Sequence, residues 1–97
     1  MTVLETLYKL KNNFKNQLET LEVSEENLRN KYEIERKIYQ NASNNNIFDE
    51  SILNLLDNNR QIAERNLSEF IVDKEKSKKS YEDLLKKVED SIRKITK

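Results

Sequence analysis

Apolar residues return along the first half of the chain at alternating steps of four and three. Leu4, Leu7, Phe14, Leu18, Leu21, Leu28, Tyr32, Tyr39 and Ala42 fall on one such ladder, with polar gaps at Lys11, Glu25 and Glu35. A mean step of ~3.5 residues is the spacing of a coiled-coil seam, and it predicts a helix over about 3–41. The second half repeats the pattern through Leu53, Leu56, Ala63, Leu67, Phe70, Tyr81, Leu84, Val88 and Ile95, which predicts a helix over about 47–95. Ile52, Ile71, Leu85 and Ile92 lie on a flank of this second seam. Between Asp73 and Ser80 no residue is apolar. That stretch reads as a solvated helix segment, the alternative being a local opening or a polar contact with a partner.

The run Asn41-Ala42-Ser43-Asn44-Asn45-Asn46 separates the two patterns, and the chain has no glycine and no proline. Asparagine competes for backbone hydrogen bonds and tolerates positive φ, so it is expected to make the turn at about 42–46. Asn46 is the expected N-cap of the second helix, with Asp49 and Glu50 in its first turn. Thr2 and Glu5 have the spacing of a capping box for the first. The expected fold class is therefore all-α. It is a single-domain antiparallel two-helix hairpin over 1–97, coiled-coil-like and able to assemble into a larger helical bundle.

Folding the chain about residues 44 and 45 sets position i opposite roughly 89 minus i. Leu21 then lies near Leu67, Leu28 near Ile62, and Phe14 beside the lysine-rich stretch with no match. Leu21, Leu28, Leu67, Phe70 and Leu84 are expected to hold the hairpin. One seam leaves its flanks wet, namely Val3, Leu10, Ile34, Ile38, Ile62, Ile71, Leu85 and Ile92. Small cores of this kind need further burial, so a second helical chain is implied. Phe14, Ile34, Ile38, Ile71 and Leu85 are the candidate partner-binding residues.

Composition narrows the chemistry. There is no cysteine and no histidine, which removes thiolate sites, the commonest general base and the commonest transition-metal ligand. The glutamates at 22, 25, 26, 33 and 35 read as solvated helix faces, and the four tyrosines as seam residues with a polar tip. No catalytic, cofactor or metal residue is assigned, and the chain is read as non-enzymatic. The 18 basic and 18 acidic residues cancel, so there is no basic excess for nucleic acid. Their distribution is uneven: residues 41–72 hold five acids and two bases, residues 73–97 six acids and nine bases. No apolar run reaches the length of a membrane span, and the start lacks the pattern of a secretory signal. The expectation is a protein made in the cytoplasm and, if exported, exported without a cleaved signal peptide.

A hairpin of this length with an asparagine-rich turn resembles the small helical proteins of Gram-positive type VII secretion. The motifs of the WXG100 group are absent, since the turn has no W-x-G. Tyr81 is followed four positions later by Leu85, and Phe70 by Lys74, so neither form of the export motif is present. The chain is most similar to the small helper proteins that accompany LXG-domain toxins, specifically the type without an F-x-x-x-D motif. The resemblance implies a helper that docks on the helical N-terminal domain of the toxin, stabilises it and targets it for export. The competing reading is a self-assembling coiled coil, such as a phage or cytoskeletal scaffold.

Overall fold

The computed structural model describes residues 1–97 as two helices packed against each other, α1 (Val3–Ser43) and α2 (Glu50–Thr96), with no strand. The chain is thus an all-α antiparallel helical hairpin. Neither helix is long and apolar enough to cross a membrane. The least exposed positions of α1 follow the four-three ladder, including its polar rungs Lys11, Glu25 and Glu35. Long side chains at these rungs cover the seam with their stems, and the Glu25 carboxylate meets Arg29 at 3.3 Å.

Both helix starts are capped by side chains. Thr2 Oγ1 accepts from the Glu5 N–H at 3.1 Å, and the Thr2 carbonyl accepts from Thr6 N–H. At the second start the cap is Asp49, not Asn46. Its carboxylate accepts from the Ser51 N–H at 3.5 Å, and its carbonyl from the N–H groups of Ile52 and Leu53. Helix α2 therefore begins three residues later than the sequence pattern indicates, and Ile47 and Phe48 lie in the loop. An acid accepts from free N–H groups at a helix start and also meets the positive end of the helix dipole, which favours Asp49 over a neutral asparagine.

The turn is made without any residue at positive φ. Asparagine acts here through its side chain: Asn45 Nδ2 donates to the Asn41 carbonyl at 2.7 Å, and Asn44 N–H donates to the Gln40 carbonyl. These bonds occupy carbonyls that the end of α1 leaves open, so a left-handed cap is not required.

The chain divides into two compact units. The terminal unit comprises Met1–Val23 and Asp73–Lys97, and the loop unit comprises Ser24–Val72. In the terminal unit Phe14 packs on Tyr81 with ring centroids 6.2 Å apart, and Lys74 Nζ lies 2.9 Å from Glu22. Position i there faces roughly 96 minus i, a slip of about one heptad from the register expected above. The loop, residues 44–49, is centred nearer the C-terminus than residues 44 and 45, which accounts for part of the slip. A slip of one heptad returns every residue to the same face, so the seam is kept while the pairs change. Phe14 finds Tyr81, and Leu21 falls in a different unit from Leu67.

The stretch 73–80 is continuous α-helix, and Lys74 is buried in it. Beyond Tyr81 the seam of α2 takes a second consecutive step of four. Leu85, Val88 and Ile92 face inward, whereas Leu84 is 40% exposed and Ile95 is exposed too. A straight helix drifts ~20° per heptad from a strict 3.5 repeat, and an extra residue in the step restores contact. The expected roles of Leu84 and Leu85, and of Ile92 and Ile95, are therefore exchanged.

Candidate functional site: the uncharged face of the loop unit

The buried apolar core consists of Ala42, Ala63, Leu67, Val88 and Ile92, and no large side chain is fully covered. So little burial leaves the rest of the apolar content at the surface, and its distribution around the loop unit is uneven.

Residues that immediately precede a seam position share one side of an antiparallel pair, because reversing the second helix keeps this flank on the same side. In the loop unit they are Ser24, Asn27, Lys31, Ile34, Ile38 and Asn41 of α1, with Ile52, Leu55, Asn59, Ile62, Asn66 and Glu69 of α2. Two shallow hollows join the helices on this side. One, of about 270 Å³, is lined by Ile38, Asn41, Ala42, Asn45, Phe48 and Leu56. The other, of about 230 Å³, is lined by Lys31, Glu35, Asn59, Ile62, Ala63 and Asn66. The flank is composed of isoleucine, leucine, amide and serine side chains, with Lys31 and Glu69 its only charges. Ile34 and Leu55 are each 58% exposed, and Ile38, Phe48, Ile52 and Ile62 are exposed beside them.

The opposite flank, formed by residues that follow a seam position, is charged, and its charges pair with one another and with the seam residues Glu25 and Arg60. Arg29 Nε donates to Glu25 at 3.3 Å, and Arg36 to Glu33 at 2.8 Å. Arg60 donates to Asp57 and Glu64 while its guanidinium lies 5.8 Å from the centre of the Tyr39 ring. The Glu33 carboxyl is held below its ordinary value by the Arg36 hydrogen bond, and Arg60 is raised chiefly by its bond to Asp57. These pairs sit in water and contribute little each. Their effect is to keep this flank hydrated, so the two flanks of the loop unit differ sharply in what they can bind.

Of the five sequence-derived candidates, Ile34 and Ile38 lie together on the uncharged flank. Phe14 is occupied by Tyr81, and Leu85 belongs to the seam of the terminal unit. Ile71 is half-buried on the charged flank. Phe48, Ile52 and Leu55 complete the surface and were missed as candidates. The signal that finds them is the absence of charge at both preceding flanks, which becomes visible only when the two helices are read together.

In the terminal unit, Glu75, Lys76, Lys78, Lys79 and Glu82 line a surface hollow of mixed charge. Lys74 is different from these lysines. Its stem is buried at a seam position and its ammonium emerges at Glu22, whose carboxyl is lowered by that hydrogen bond.

No known protein family, curated protein sequence or solved structure matches the chain.

Proposed function

We propose that this chain is a non-enzymatic binding protein that docks through the uncharged flank of its loop unit onto helices of a larger client. The observation that carries this reading is the contrast between the flanks. One side of the same two helices is covered in paired charges, whereas the other exposes Ile34, Ile38, Ile52, Leu55 and Ile62 among amides. Exposed apolar patches of this extent mark interaction surfaces, and a helix pair offers a groove into which a further helix packs.

The proposed client is the helical N-terminal domain of an LXG toxin of a type VII secretion system. This follows the resemblance in size, hairpin shape and glycine-free turn. The helper is made in the cytoplasm, covers apolar helix surface on the toxin and accompanies it to the export machinery without a cleaved signal peptide.

The test is co-purification with the N-terminal domain of an LXG toxin from the source genome. Wild-type chain is expected to form a stable complex, and Ile34→Glu to lose it, while Val72→Glu, at an equally exposed apolar site off this flank, retains it. Equal binding by all three chains would remove the uncharged flank from the account.

A further inference from the structure

We infer that, without its client, a second copy of this chain covers the uncharged flank, joining two loop units in an antiparallel, two-fold pair. The inference rests on the docking reading above and names a regulator of the same surface: the client must displace the second copy.

Area is the first argument. Ile34, Ile38, Phe48, Ile52, Leu55 and Ile62 are all at least 39% exposed. Together they present on the order of 500 Å² of apolar surface, at the upper end of what a lone monomer shows. Two such patches reach the ~1,000 Å² at which a specific interface becomes credible, before the surrounding amides are counted.

Charge is the second argument, and it sets the direction. The apolar stripe is bracketed by opposite charges. At the loop end stand Asp49 and Glu50, just ahead of Ile52 and Leu55; at the other end stands Lys31, one turn before Ile34, with Glu69 further out on α2. A parallel two-fold would gather the acidic helix starts of both copies at one end of the pair and both Lys31 side chains towards the other. An antiparallel two-fold centred on the stripe sets Lys31 of each copy towards the acidic helix start of the other. The same operation lays α1 of one copy along α1 of the other and α2 along α2, so the stripe meets its own counterpart, which is what an isologous interface requires. The asparagines of the flank supply donors and acceptors that need no ionic partner. The interface is small and half-polar, which makes it weak and reversible; a dissociation constant on the order of 1–100 µM fits its size.

The experiment is sedimentation equilibrium of the full chain across that range, with circular dichroism confirming helix content for every variant. Wild type is expected to dimerise reversibly. Ile34→Glu and Leu55→Glu should each weaken the dimer by more than about tenfold. Val23→Glu and Val72→Glu, at sites 56% and 60% exposed, should leave it unchanged. Lys31→Glu should weaken it about three- to fivefold, and Glu50→Lys added to the same chain should recover the loss. A chain monomeric throughout, a dimer indifferent to Ile34→Glu, or a dimer equally weakened by Val72→Glu would overturn the inference.

Titrating the toxin domain into the same samples separates the two readings. If wild type is monomeric yet Ile34→Glu loses the toxin domain, the second copy falls and docking stands. If the dimer forms through this flank and the toxin domain neither binds nor displaces it, the client falls and the second copy stands.

Discussion

Lys74 shows most clearly how one residue decides between stability and specificity. Its stem is buried at a seam position, and its ammonium reaches Glu22, which remains largely exposed. A lysine in a seam fixes register at a cost in stability. Here the competing register is a one-heptad slip, which keeps every apolar face but carries Lys74 away from Glu22. Lys74→Leu is therefore expected to raise stability in urea melts by about 1–2 kcal/mol, because Glu22 stays hydrated when its partner is removed. The same variant should broaden the distance distribution between spin labels on the two helices of the terminal unit as the slipped pairing is populated. The Glu22 carboxyl, lowered by the Lys74 bond from its ordinary value of 4.5, contributes stability that is present above that value. This contribution is lost as the pH falls through the lower folded-state value. Glu22→Gln should flatten that part of the acid unfolding profile, and an unchanged profile would show that the pair carries no pH dependence.

At the scale of elements, the loop and the second seam give the sharpest expectations. Because no residue of the turn has positive φ, glycine has nothing to relieve there. Asn44→Gly is expected to destabilise by about 0.5–1 kcal/mol through added freedom in the unfolded chain, measured as a lower urea midpoint. Asp49→Ala should cost about 1 kcal/mol by uncapping α2. Leu85→Ala should cost roughly 1–2 kcal/mol and Leu84→Ala less than about 0.5, the reverse of a strict four-three reading. The first helix was legible almost residue by residue, since its ladder holds one spacing from Leu4 to Ala42. The second was legible as far as Tyr81. Past that point the extra step of four is set by contact with α1, which a one-helix pattern does not contain. Phe48 and Asp49 were misplaced for a related reason: an apolar residue beside an acid looks like a first turn, yet the acid's own side chain closes the helix one residue before it begins.

At the scale of the molecule, the hairpin was readable from missing glycine and proline and from two seams of equal spacing. The binding surface was half readable. Ile34 and Ile38 stood out as apolar residues off the seam, but Phe14 and Leu85 stood out equally and serve the hairpin. What distinguishes the surface is that α1 and α2 leave charge off the same side of the loop unit, while Arg29, Arg36 and Arg60 pair with acids on the other. Hydroxyl-radical footprinting of the chain, free and bound to the LXG toxin domain, tests this division most directly, because it reads side chains one at a time. To keep the second copy from masking the surface, the free sample is measured well below the dimer's dissociation constant. The account predicts that Ile34, Ile38, Leu55 and Ile62 lose modification on binding, while Val23 and Val72 do not. Protection of Val23 and Val72 with Ile34 and Leu55 still modified would contradict it.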